Sequence, residues 1–295
     1  METGRFAGFI SMEMKPERTL LTLLILFAAA GPLMAGPADP VVYDLRQGRR
    51  VALPDLAPEL RQSRIVIIGE QHTDDGHHRA QLSVIQALVQ AGARVVVGLE
   101  MFRKDSQQAL NRWTAGDIGP REFEAAYYDN WNYPWAAYSA IFEYARAQKI
   151  PMIGLNVSRA ITRQVARSGF QSLTEEQRGQ LPEVTCSIDE EYMRYIRSVY
   201  SAHAHGNSNF TFFCEAQMIW DVAMAVHSLD YLKTNPDATL VILTGVGHAQ
   251  KGAVPRQIRL RSPVPVAVML PEVPGSIDPK TVDMQDADYL LLDTK

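Results

Sequence analysis

Two short patterns in this chain end in histidine and have the same form. Gly69-Glu70-Gln71-His72 follows the apolar run Ile65-Val66-Ile67-Ile68, and Gly245-Val246-Gly247-His248 follows Leu240-Val241-Ile242-Leu243. Each reads as a buried strand that stops at a glycine and then presents an imidazole. In an open parallel sheet the loops at the carboxyl ends of the strands form the ligand crevice, so both imidazoles belong on one edge. Neutral imidazole ligates Zn, Fe, Ni and Cu, and a carboxylate can complete a mixed site. His72, His248 and either Glu70 or Glu100 would make a two-His, one-carboxylate divalent-metal set. Such a set lowers the pKa of bound water and polarises a carbonyl. The remaining Glu would serve as general base, and Arg103 would pair with Glu100 or stabilise an anion. Without metal, His72 and Glu100 would form an acid–base pair. The plain alternatives are a Gly turn with a loop-bonded His at each pattern, and a local Glu100–Arg103 ion pair at a helix start.

The elements that position these groups alternate. Strands are expected at 64–68, 94–97, 151–153, 239–243 and 265–270, and helices at 77–90, 135–148, 158–168 and 214–231. That alternation predicts an α/β fold: a mainly parallel sheet flanked by helices. Residues 170–213 carry no strand pattern and read as a helical insertion near the carboxyl edge, in the place of a lid. Residues 36–60 form an N-terminal extension with a small hairpin at 41–51, 61–270 the main domain, and 271–295 a loosely packed acidic tail. Every strand of the core ends in Gly followed shortly by a polar group: Glu70 and His72, then Glu100 and Arg103, then Asn156 and Arg159, then His248. This convergence makes a binding or active site the default reading. His77 and His78 follow the turn Thr73-Asp74-Asp75-Gly76 and are expected on the solvent side of a helix start. His227 is expected as a core histidine.

Composition narrows the function classes. Of 295 residues, 46% are hydrophobic and 21% charged, as in an ordinary globular protein. A net charge of −4 gives no electrostatic footprint for nucleic acid or for an anionic membrane. Lys15 and Arg18 precede an apolar run, Leu20 to Ala30, that is too short to span a bilayer, and Ala35 offers a cleavage point. Residues 1–35 therefore read as a signal peptide, with Met14 expected as the true start. No cysteine follows the run to take a lipid, so a periplasmic protein is expected. There Cys186 and Cys214 are able to pair.

Gly69 to His72, Gly98-Leu99-Glu100-Met101-Phe102, Gln217 to Ala223 and Gly245 to His248, in that order, resemble the ChaN-like haem-binding uptake family. That family belongs to a superfamily with Tiki proteases, TraB proteins and erythromycin esterases. The resemblance spans about Arg64 to Leu270. It implies an exported haem-binding protein in haem or iron uptake, able to form a homodimer and to serve an outer-membrane haem receptor or transport system. The alternative it implies is a metal-dependent hydrolase that uses the paired GxxH motifs. Haem needs a His or Tyr ligand, apolar walls and cations for its propionates. Two stretches qualify: the aromatic run Tyr127 to Trp135, whose plain reading is a packed turn, and Tyr200, His203 and His205 of the insertion.

Overall fold

The computed structural model describes residues 40–183, 192–193, 196–197 and 209–294. Among these, the chain runs β1 (Val41–Asp44), β2 (Arg49–Ala52), α1 (Leu53–Leu60), β3 (Ile65–Glu70), α2 (Asp75–Gln90), β4 (Val95–Arg103), α3 (Gln107–Ala115), α4 (Pro120–Asn130), α5 (Trp135–Ala147), β5 (Met152–Asn156), α6 (Arg159–Ser168) and α7 (Glu175–Gly179). It continues with α8 (Phe210–Thr234), β6 (Thr239–Gly245), α9 (Val246–Ala249), α10 (Val254–Arg259), β7 (Val266–Pro271) and β8 (Tyr289–Leu292). The strands form one sheet in the order β2-β1-β8-β7-β3-β6-β4-β5. All pairs from β8 to β5 are parallel, and β1 pairs antiparallel with both β8 and β2. The expected α/β class is the one observed.

The central strands read as unbroken apolar runs because both faces are covered. Val66 and Ile68 pack into one core with α2 and α5, while Ile65 and Ile67 pack into the opposite core with α8 and α10. Successive side chains thus leave opposite faces of the strand, as the period of two demands. Helix α8 is apolar nearly all round, and it meets three separate clusters, one of them beneath α6.

Register fixes the site. In the β3–β6 pair Glu70 lies opposite Gly245, and in the β4–β6 pair Leu99 lies opposite Leu243. The residues just after these pairs leave the sheet together at its carboxyl edge. Strand β4 extends further than expected and shifts register against β5 between Leu99 and Arg103. Such an irregularity bends the strand and re-aims its side chains. Asn156 Nδ2 donates to the Glu100 carbonyl (2.9 Å), and the Arg103 amide donates to Asn130 Oδ1 (3.0 Å), so side chains satisfy the backbone there. Gly154 is required beside this bend: a Cβ on it would stand 2.3 Å from the Arg103 carbonyl oxygen.

One expectation is corrected. Residues 271–295 are not a loose tail: β8 is buried and pairs with β7 and β1. The Tyr289–Leu292 run of β8 has too few residues to announce itself, yet burial between β7 and β1 holds it. In the extension, β1 and β2 form the hairpin expected at 41–51 and add it to the same sheet. The expected insertion carries no strand among its described residues, and α7 opens with a capping box between Thr174 and Gln177. The signal peptide and Cys186 lie outside the described residues. Cys214 is a free, buried thiol. No helix among the described residues is long and apolar enough to cross a membrane.

Candidate functional site

His72 and His248 both line one cavity of about 500 Å³ at the carboxyl edge, together with Glu100, Trp131, Tyr133 and Arg159. Each imidazole is held from behind by a buried carboxylate. His72 Nδ1 lies 2.7 Å from Glu70 Oε1, and His248 Nδ1 lies 2.7 Å from Asp221 Oδ1. Both carboxylates are essentially inaccessible, at 1% and 0% exposure, whereas His72 is 25% exposed. A carboxylate on Nδ1 fixes ring orientation and tautomer, and leaves Nε2 as the nitrogen free to act on a ligand.

Glu70 is itself anchored deeper in the fold. Tyr138 of α5 donates its hydroxyl to Glu70 Oε1 at 2.5 Å. His78 Nε2 stands 3.6 Å from Glu70 Oε2, and the His78 ring lies 4.1 Å from the Tyr138 ring. Burial alone would push the Glu70 carboxyl up. Bonding to His72 and His78 outweighs it and holds the group well below the usual carboxylate range. Burial likewise opposes protonation of His72, but the Glu70 hydrogen bond and the charges of Glu100 and Glu70 raise it above its ordinary value. His248 is pushed up to about 9, because the Asp221 bond and the charges of Asp221 and Glu100 outweigh its burial.

The Glu100 carboxylate is positioned by the neighbouring strand. Its Oε2 accepts from Thr244 Oγ1 (2.5 Å) and from the Gly245 amide (2.7 Å). Aromatic rings complete the walls. Trp131 and Tyr133 each lie 5.0 Å from the His72 ring, and Trp220 lies 5.7 Å from His248. The Arg159 guanidinium sits 5.0 Å over Trp131. Burial and the charge of neighbouring Arg163 pull Arg159 down from its ordinary value, against the opposing charge of Glu100, and Arg163 lines the same cavity.

The expected residues are thus partly brought together. Glu70, His72, Glu100 and His248 meet at one edge. Arg103 turns away: it bonds Asp129 (2.9 Å) and Asp105 (3.0 Å) rather than Glu100, because it ends a strand and not a helix turn. Among the described residues, no group of three or more His, Cys, Asp or Glu side chains is disposed to hold a metal ion. The divalent-ion centre expected of His72, His248 and Glu100 therefore finds no support in the geometry. Tyr200, His203 and His205 lie outside the described residues. His77 and His78 are corrected: both are buried at 2%, and His77 Nδ1 accepts from the Gln71 amide (3.0 Å), steadying the loop that carries His72. His227 is a core histidine, with Nδ1 2.8 Å from the Leu155 carbonyl.

Sequence reasoning gave no role to Asp221, Tyr138 or Trp220. The block Gln217 to Ala223, in which Asp221 is the one acid among mostly apolar residues, was the available signal for it. Trp131 and Tyr133 came from a run read as a packed turn. Tyr127 and Phe142 do pack there, while Trp131 and Tyr133 face the cavity.

The fold and this edge define an α/β domain that presents two carboxylate-braced imidazoles in an aromatic, cation-rimmed cavity. The chain belongs to the family described as haem-binding uptake, Tiki superfamily, ChaN, whose model matches residues 56–258. A solved structure of ChaN of Campylobacter jejuni, described as showing cofacial haem binding, is similar with a TM-score of 0.68 at 19% identity, covering 85% of this chain and 96% of that one. A type III effector, HopBA1, shows a TM-score of 0.48 at 13% identity, covering 81% and 92%. The erythromycin esterase EreC in an open conformation shows 0.48 at 14%, covering 85% and 81%. At these identities the shared feature is the fold. No protein of curated function matches the sequence.

Proposed function

We propose that the carboxyl-edge cavity binds haem, with His72 as an axial ligand and the Arg159–Arg163 pair as the propionate anchor. One observation carries this reading: His72 is tied through Nδ1 to a buried carboxylate and flanked by two aromatic rings, so its Nε2 is the atom left for a ligand. The residues present suit the group. Haem brings an iron that accepts an imidazole and propionates that accept cations, and it asks for apolar walls. His72, Trp131, Tyr133, Trp220, Arg159 and Arg163 offer that set. His248 is less exposed than His72, at 12% against 25%, so His72 is the imidazole the cavity offers more openly. Family membership supports the same ligand. Tyr200, His203 and His205 remain candidates for a further haem ligand.

The physiological reading is an exported protein of haem or iron uptake: a periplasmic form freed of residues 1–35, dimeric with haem and passing it to or from an outer-membrane receptor or transport system. Hemin titration of the purified protein tests the binding. Saturation with a Soret shift at micromolar haem is expected, and its lack removes the reading. The mass of the exported form tests cleavage after Ala35, and sedimentation with and without hemin tests the dimer.

A second reading is hydrolysis without a divalent metal. It is favoured by Glu100 and two His–carboxylate pairs sharing one cavity. His72 and Glu100 both line the cavity and are the candidate bases. Hydrolysis of small ester substrates that is lost in Glu100→Gln would support it.

A further inference from the structure

A second cavity, of about 450 Å³, lies at the opposite edge of the sheet from the histidines. It opens where Arg64 leads into β3, Pro236 precedes β6 and Val264 precedes β7, three neighbouring strands. Its floor is apolar: Val226, Leu229 and Leu232 from the last turns of α8, with Val264 facing them. Its rim is cationic: Arg64, Lys233 and Arg261 against a single acid, Asp230. Asp230 is already paired with Lys233 at 2.8 Å.

The two guanidiniums are satisfied only by neutral oxygens. Arg64 donates to the carbonyls of Pro236 and Asn235, and Arg261 donates to the Gln257 carbonyl (2.9 Å) and side-chain oxygen (2.7 Å). Neither takes part in an ion pair among the described residues. Burial, and then the charge of Arg256, pull Arg261 down from its ordinary value, against the opposing charge of Glu183. An apolar floor calls for a hydrocarbon body, and two guanidiniums outside any ion pair at the rim call for a carboxylate. None of the described lining residues is His, Tyr, Cys or Met, so haem iron would find no axial bond there.

We infer that this amino-edge cavity is a second binding site, for a small amphipathic carboxylate, separate from the haem site and independent of it. The hydrocarbon chain lies along Leu229 and Leu232, and the carboxylate meets Arg261 and Arg64.

Calorimetric titration of the full chain with octanoate, and with octanamide as its neutral counterpart, tests the inference. Octanoate is expected to saturate one site with a dissociation constant below about 1 mM, and octanamide to bind at least tenfold more weakly. Arg261→Gln should weaken octanoate at least fivefold, with hemin binding unchanged. Lys233→Gln, an exposed change, should weaken it at least twofold, and it decides the matter if Arg261→Gln fails to fold. No saturable octanoate binding overturns the inference. So does equal affinity for octanamide, undiminished binding in both variants, or octanoate that competes with hemin.

Discussion

Gly245 leaves room for His72: a Cβ on Gly245 would stand 3.0 Å from His72 Cε1 and 3.1 Å from His72 Nε2, and 3.8 Å from Glu100 Oε2. The glycine of the second GxxH pattern thus serves the histidine of the first. Gly245 has φ −58°, so the need is for space rather than for unusual backbone. Its partner in the β3–β6 ladder is Glu70, which brings the two patterns into contact by register alone.

Gly245→Ala should therefore act on the ligand more than on the fold. The added methyl displaces the His72 ring from its place against Glu70. Hemin affinity is expected to fall about tenfold, equivalent to about 1.4 kcal/mol, while the urea midpoint moves little. Parallel hemin titration and urea unfolding check this.

Tyr138→Phe removes the hydroxyl that Glu70 Oε1 accepts, in a place water cannot refill. Leaving a buried carboxylate short of a donor costs about 1–3 kcal/mol. The unfolding free energy should fall by that amount. The effect should be larger than that of Tyr144→Phe, whose hydroxyl lies in a less buried place on the same helix.

The His248–Asp221 pair makes stability depend on alkaline pH. His248 is raised from 6.5 to about 9 in the folded protein. The stabilisation is fully present below about pH 6.5 and is lost as pH rises through about 9, amounting to about 3 kcal/mol at most. Wild-type protein should lose more stability between pH 7 and pH 10 than His248→Gln does. Denaturant unfolding of both at the two pH values provides the comparison.

Arg159→Gln combined with Arg163→Gln removes both cations from the rim of the histidine cavity. Hemin binding should weaken five- to tenfold and become less sensitive to added salt, since screening acts on the lost attraction. The Soret position should stay where it is, because the axial nitrogen is untouched. Titrations at low and high salt measure both effects.

The amino-acid sequence revealed the parts of the site that follow from strand periodicity. Apolar runs ending at Gly69, Gly98, Gly154 and Gly245 announced the strands. A parallel arrangement then placed Glu70, His72, Glu100 and His248 on one edge without further information. What it withheld depends on how helices pack. Asp221 sits in α8, a helix buried on several faces, where periodicity assigns no direction to one acid. Tyr138 reaches Glu70, 68 residues away in sequence, because α5 packs against α2, a relationship invisible to local pattern. His78 looked like a surface residue of a capped helix start, but the first turn of α2 points beneath the sheet edge. Arg103 failed as a partner of Glu100 because β4 continues through both residues, and its bend sends the guanidinium to Asp129.

The central claim is that His72 Nε2 is the atom this protein offers to haem. Hemin titration of His72→Gln beside wild type, followed in the Soret band, tests it most directly. The account predicts a displaced Soret maximum and affinity weakened at least tenfold. A His72→Gln protein that binds hemin with the wild-type spectrum and affinity would contradict it.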